Sequence, residues 1–412
     1  MINATTLTFP ANMTRIDRSA REWIVGRLER LPKGQLTIIE SYLEPQHVTK
    51  VGESRPTEPK ATLVIKDSRF FSRLLQGGSI AAGEAYMDGW WDSGDLTSVM
   101  ELMAVNLATL DSLRSRTSWL GQMTVRFGHW LRRNTLSQSK KNIHAHYDLG
   151  NDLYRLFLDK NMLYSSALYL NTHDTLESAQ KNKMARLCEQ LELKSDDHVL
   201  EIGTGWGAMA IFMAQEYGCR VTTTTISEQQ YQYAKTQIEA LGLEQRITLL
   251  KQDYRLLEGQ FDKVVSIEMI EAVGKAFLAS YVAKCQSLLK KGGRFAIQAI
   301  TIADQRYDSY SRNVDFIQKY IFPGGFLPSI AKLAEVSSRH SDFVIRDVFD
   351  IGGDYAQTLN EWRARFDQQI QQVRAQGYDE RFVRMWRYYL CYCEGGFKAK
   401  SISTVQMTFE RS

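Results

Sequence analysis

Residues 199–207, Val-Leu-Glu-Ile-Gly-Thr-Gly-Trp-Gly, constrain the architecture of this chain more than any other stretch. A short apolar run ends in a carboxylate and three alternate glycines, the pattern by which a parallel strand turns into a helix beneath a nucleoside-type ligand. Glycine belongs there because a Cβ would hold the backbone away from the ligand and because such a turn calls for positive φ. The spacing is G-x-G-x-G, not the dinucleotide G-x-G-x-x-G, and no Lys-Ser or Lys-Thr follows as in a phosphate-binding loop. This spacing favours S-adenosylmethionine over NAD or ATP.

Periodicity around the motif predicts alternating strands and helices: a helix over 176–191, strand 199–202, helix 208–217, strand 220–225, helix 228–241, strands 247–250 and 261–267, helix 276–289 and strand 293–300. Strands separated by helices of this length imply a parallel, doubly wound sheet with ligands at the carboxyl ends of its strands. The expected fold class is therefore α/β, a Rossmann-like, mostly parallel domain, preceded by a smaller α+β domain.

That first domain is expected over residues 1–125. It has a loose tail to about residue 18, a helical repeat at Trp23, Ile24, Leu28 and Leu31, and strands at 36–40 and 61–66. A glycine-punctuated stretch at 77–91 ends in Trp90 and Trp91, a pair that reads as core, and a helix follows from Leu96 to Leu113. Residues 126–142 form a basic linker in which Phe127, Trp130 and Leu131 can anchor in a lipid interface while Arg126, Arg132, Arg133, Lys140 and Lys141 face anionic headgroups. The catalytic domain is expected over 143–412.

A chain of 412 residues has ample material for two cores, and 8 Trp, 19 Tyr and 18 Phe argue against global disorder. A net charge of +4, with no dense basic block interleaved with aromatics, gives no case for nucleic acid. Five cysteines without C-x-x-C spacing suggest neither a disulfide framework nor a metal site, which points to reduced thiols and a cytoplasmic setting. No stretch reaches the roughly 20 apolar residues of a membrane span, so a lipid substrate would be met from the water side.

Asp253 follows the third strand, where such folds hold an adenine; its carboxylate can accept the exocyclic N–H while Tyr254 packs on the ring. The second strand lacks a terminal acid for the ribose hydroxyls and offers Thr225, Ser227 and Gln230 instead.

The stretches Gly78-Ser-Ile-Ala-Ala-Gly-Glu-Ala-Tyr-Met-Asp-Gly-Trp-Trp, His146-Tyr-Asp-Leu-Gly-Asn-Asp, Tyr164-Ser-Ser, Thr225-Ile-Ser-Glu-Gln-Gln, Gln252-Asp-Tyr-Arg, Lys319-Tyr-Ile-Phe-Pro-Gly-Gly and Gly353-Asp-Tyr, together with the glycine motif, give the chain a specific resemblance. From about residue 69 to the C-terminus it resembles the cyclopropane-fatty-acyl-phospholipid synthases and their mycolic-acid relatives. The resemblance implies S-adenosylmethionine held by Tyr164, Ser165, Gly203, Gly205, Thr225, Gln230, Asp253, Tyr254 and Ile267. It also implies that a cis alkene in a phospholipid acyl chain takes the methyl carbon, giving a cation that then loses a proton. Aromatic faces suit such a cation, and Tyr355, Phe316 and the 320–322 run are candidates.

The resemblance further implies a bicarbonate as proton acceptor. Glu271, Ile300 and Tyr355 match the positions that hold it, but Ser166 stands in place of a cysteine and Gln298 in place of a histidine. Glu268 stands where many members have glycine, and its charge would oppose a bound anion. Glu268 itself is thus a candidate for the base. The expected activity is formation of cyclopropane fatty acyl phospholipids by an enzyme peripheral to the inner face of the membrane. The alternatives are a lipid C-methyltransferase with a branched or methylene product, and a non-catalytic lipid-binding paralogue. A phospholipid surface is the expected partner, nucleic acid is not, and a homodimer is compatible with the chain.

Overall fold

The computed structural model describes residues 9–10, 13–112 and 149–412. The basic linker, with Arg126, Phe127, Trp130, Leu131, Arg132, Arg133, Lys140 and Lys141, lies outside the described residues, as does the His146 end of its motif.

Two compact units divide the chain, and the division is not a single cut. The first takes the N-terminal part together with Ile370–Ser401; the second runs on to Gln369 and resumes at Ile402–Ser412. The expected catalytic domain 143–412 is thus interrupted. The reason is the helix Glu380–Lys398, whose Val383, Trp386, Leu390 and Phe397 form a buried stripe at helical spacing and pack on the first unit's helices Phe70–Met87 and Leu96–Val105.

In the first unit, β1 (Gln35–Glu40) lies between an antiparallel β2 (His47–Gly52) and a parallel β3 (Lys60–Ile65), and the short β4 (Trp91–Asp92) closes the edge. The helix Arg15–Leu28 begins within the expected tail, where Thr14 and Asp17 form a capping box. The glycine-punctuated stretch proves to be helix Phe70–Met87, broken only at Gly78, where φ is +59°. Of the two tryptophans, Trp91 is core, whereas Trp90 lies partly open beneath the guanidinium groups of Arg69 and Arg73.

The second unit holds a seven-stranded sheet in the order β10-β11-β9-β8-β5-β6-β7. Its strands are β5 (His198–Ile202), β6 (Arg220–Thr225), β7 (Ile247–Lys251), β8 (Phe261–Ile267), β9 (Leu289–Ile302), β10 (Phe343–Asp350) and β11 (Ile402–Arg411). β5 to β9 run parallel, and β11 and β10 add antiparallel at one edge. The chain leaves β5 towards β6 and β7, then returns to its other side with β8, so β5 and β8 flank the switch point where such sheets open a crevice. Apolar cores on both faces, one around Val264, Phe295 and Met407 and the other around Val199, Met213 and Val265, hold the sheet rigid beneath that crevice.

Candidate functional site

Beyond β5 the backbone turns on Gly203, Gly205 and Gly207, with φ of +102°, +54° and +98°, into the helix Ala208–Phe212. A Cβ on Gly203 would lie 3.2 Å from Met269 Cγ, while one on Gly205 would meet nothing within 4 Å. The turn therefore presents bare backbone to open space, a cradle for a ligand that lies close to the main chain.

At the end of β6, Thr225 Oγ1 donates to Gln230 Oε1 over 2.9 Å, which leaves the Gln230 amide nitrogen to donate to a ligand hydroxyl. Ser227 caps the helix Glu228–Ala240 by accepting from Gln230 N. Asp253 is buried after β7, and its carboxylate accepts from Arg255 at 2.6 and 2.8 Å, which fixes its orientation. The Tyr254 ring meets Tyr281 edge-on at 5.4 Å. Tyr164 sits in an aromatic group, 5.2 Å from Tyr154 and 5.3 Å from Trp362. The expected cofactor positions thus surround the carboxyl ends of β5, β6, β7 and β8, and their backbone cradle, hydroxyl, amide and carboxylate suit an adenosyl sulfonium ligand.

Glu268, the residue after β8, organises the rest. Its φ of +48° is a left-handed conformation that costs a non-glycine residue about 1–2 kcal/mol. The strain explains why glycine suits this position, where this chain instead carries a carboxylate. The β8–β9 register opposes Ile267 to Gln298 and so brings Glu268 beside Gln298. Glu268 Oε1 accepts from Ser166 N and from Gln298 Nε2, both at 2.8 Å, and Oε2 accepts from Tyr355 Oη at 2.8 Å.

Those donors are the ones expected to hold a bicarbonate. The Glu268 carboxylate takes all of them, and a separate anion would face it directly, so the residues present do not fit a bound bicarbonate. Glu271 and Ile300 meet each other instead: Glu271 Oε1 accepts from Ile300 N at 2.5 Å, while its buried Oε2 has no partner among the described residues. Phe316 is fully enclosed and packs on Tyr320 at 5.0 Å.

The two glutamates differ in environment, and the difference separates their chemistry. Burial raises both, but at Glu268 this is opposed by Gln298, Lys183, Ser166 and Tyr355. Glu271, pushed up to about 8 by burial and by the Glu268 charge, holds its proton at neutral pH. Glu268 is thus the carboxylate better supplied with hydrogen-bond donors.

Lys183 completes the electrostatics. It is fully buried on helix Leu176–Gln190, and its Nζ donates to Ser165 Oγ over 2.7 Å. Burial lowers it to about 8, against the pull of Glu268 and Asp159. Gln180, three residues earlier, donates to Ser165 O at 2.9 Å, so this helix clamps the Tyr164–Ser166 loop from one side. Motif reasoning passed over Lys183 and Gln180; their three-residue spacing on one helix face was the available signal.

The family model described as mycolic acid cyclopropane synthetase matches residues 134–407. The chain is 41% identical over 360 residues to a cyclopropane-fatty-acyl-phospholipid synthase of Escherichia coli, covering 85% of this chain and 88% of that one. It is 37% identical over 371 residues to a tuberculostearic acid methyltransferase of Mycobacterium tuberculosis, covering 88% and 86%. Among solved structures, a mycolic acid cyclopropane synthase in complex with SAH and CTAB superposes with a TM-score of 0.63 at 28% identity, over 66% of this chain and 98% of that one.

Proposed function

The chain belongs to the mycolic acid cyclopropane synthetase family and is an S-adenosylmethionine-dependent methyltransferase, and we propose that it adds a one-carbon bridge across the cis double bond of phospholipid acyl chains. The observation that supports this reading is the Glu268 carboxylate held by Ser166, Gln298 and Tyr355, an oriented candidate proton acceptor.

When bound, S-adenosylmethionine supplies an electrophilic methyl group for the alkene to attack. Gly203 and Gly205 admit it against the backbone, with Thr225, Gln230 and Asp253 placed for its ribose and adenine. Tyr164 packs with Tyr154 and Trp362 in an aromatic cluster, which would help keep water from a cation on the acyl chain. Glu268 then accepts the proton that the chain loses. A C–H bond of the added carbon breaks, its electron pair closes the third side of the ring, and the proton passes to a Glu268 oxygen. The donors that would hold an external anion hold the two oxygens of this carboxylate, and a base that takes the place of that anion supports the cyclopropane.

A second reading, loss of the proton from a neighbouring chain carbon to give a methylene or methyl-branched product, is supported by the similarity to the tuberculostearic acid methyltransferase. Mass spectrometry of acyl chains from unsaturated liposomes incubated with methyl-labelled S-adenosylmethionine separates the two. A CH2 gain with the double bond lost supports the ring; the same gain with a double bond retained overturns it. No label in any acyl chain rejects both.

Access to the acyl chain is proposed to come from contact with a phospholipid surface through the 126–142 segment. No helix among the described residues is long and apolar enough to cross a membrane. Unchanged liposome co-sedimentation after neutralising Arg132, Arg133, Lys140 and Lys141 would remove that segment from the proposal.

A further inference from the structure

The polar chain behind Glu268 continues well past it. On β9 and β11, Gln298 and Gln406 stand directly opposite each other. Gln406 Nε2 donates to Gln298 Oε1 over 3.0 Å, and Arg186 in turn donates to Gln406 Oε1 over 2.8 Å. Both amides are buried.

A primary amide donates at one end and accepts at the other, so each amide in a chain dictates the orientation of the next; a guanidinium only donates. With Arg186 at the far end, Gln406 must turn its oxygen to Arg186 and its nitrogen to Gln298. Gln298 must then turn its nitrogen to Glu268. Reversing either amide would set oxygen against oxygen in a buried site and leave donors unmatched. The carbonyl of Ser166, which accepts the other Gln298 N–H at 3.1 Å, backs the same orientation. Arg186 is itself anchored by Asp347 at 2.7 Å and lies 4.0 Å from the Phe349 ring centroid. It extends the site-facing row of Gln180 and Lys183 by another three residues on the same helix.

We propose that Arg186 is a positioning residue for the reaction: through Gln406 and Gln298 it keeps an N–H facing Glu268 Oε1 and so keeps that carboxylate ready to accept a proton. The proposal rests on the reading of Glu268 as the proton acceptor. Other groups also face Glu268: Lys183 with its neighbour Asp159, Glu271 on the same loop, and Tyr355 on helix Gly352–Gln368. The test leaves each of these unchanged.

The test compares Arg186→Met, Arg186→Lys and Gln406→Met with the wild type in methyl transfer to unsaturated liposomes across pH. Loss of the directed N–H makes Glu268 harder to ionise, so the acid limb of kcat moves up by about one pH unit. That is about a tenfold loss at pH values well below the limb, recovered above it, because one pKa unit is a factor of ten in ionised fraction. Arg186→Lys, which keeps a donor, retains the wild-type limb, and the double variant shifts no further than either single one. KM for S-adenosylmethionine stays unchanged. A pH-independent loss, or fully additive losses, overturns the proposal, and Gln406→Met is decisive by itself if Arg186→Met does not fold. Glu268→Gln is assayed beside them. If it keeps activity, the reading of Glu268 as base fails; if it is inactive while the Arg186 limb does not move, only the present proposal fails.

Discussion

The Tyr355 hydroxyl donates to Glu268 Oε2 over 2.8 Å, joining helix Gly352–Gln368 to the turn after β8 across 87 positions of chain. Each of the other two donors to this carboxylate, Ser166 N and Gln298 Nε2, comes from a separate element, so the base is held from three directions. Removing the tyrosine donor with Tyr355→Phe disfavours the ionised form and raises the Glu268 pKa. The acid limb of kcat should move up by about one pH unit, giving about tenfold less activity well below the limb and near-normal activity well above it. A pH–rate profile of the variant checks this, and a uniform loss at every pH would contradict it.

Glu268→Gln keeps the shape of the side chain but removes its basicity. Turnover should fall by about 10²–10⁴-fold, the usual contribution of a positioned general base, while binding of S-adenosylhomocysteine is retained. Calorimetric titration beside the activity assay separates the two effects.

Glu268→Gly is the more pointed replacement, because glycine tolerates the φ of +48° and vacates the donors on Ser166, Gln298 and Tyr355. Wild-type turnover should be indifferent to added bicarbonate. The glycine variant should be inactive in carbon dioxide-free buffer and regain activity as bicarbonate is added. Bicarbonate stimulation of the wild type would show that Glu268 does not fill the anion position in solution.

Glu201 and Glu271 are buried carboxyls whose environments raise them from 4.5 to about 8. Between those values the folded state binds more protons than the unfolded chain, so stability is fully present below about pH 4.5 and is lost as pH rises through about 8. The melting temperature should therefore fall from pH 5 to pH 8, by about 2–4 °C for each kcal/mol lost. Glu271→Gln should flatten that slope in thermal denaturation. An unchanged slope would mean that Glu271 is not protonated in the fold.

Gly203→Ala should weaken cofactor binding by about tenfold. The new Cβ would lie 3.2 Å from Met269 Cγ, on a backbone whose φ of +102° an L residue resists. Binding of S-adenosylhomocysteine by titration calorimetry provides the measurement.

Residue order was enough to reveal the alternation from 176 to 302 and the glycine turn, because strand and helix periodicities and φ requirements are local properties. Strand 261–267 has the observed bounds, and the candidate positions Thr225, Gln230 and Asp253 are read from their places at strand ends. Other features had no such signal. β10 and β11 complete the sheet only by pairing with β9, and β11 returns to it after the Ile370–Ser401 excursion into the other unit. The capping box at Thr14 carries a helix into residues whose composition reads as tail. The family resemblance, and not residue type alone, points to Ser166, Gln298 and Tyr355 as the expected anion holders and to Glu268 as a candidate base. It took the folded chain to show that the Glu268 carboxylate itself accepts the hydrogen bonds there, and that Lys183 and Arg186 lie behind it. Hydrogen bonding and burial between distant segments, which no window of sequence contains, determine how strongly each carboxyl is drawn to keep or to lose its proton.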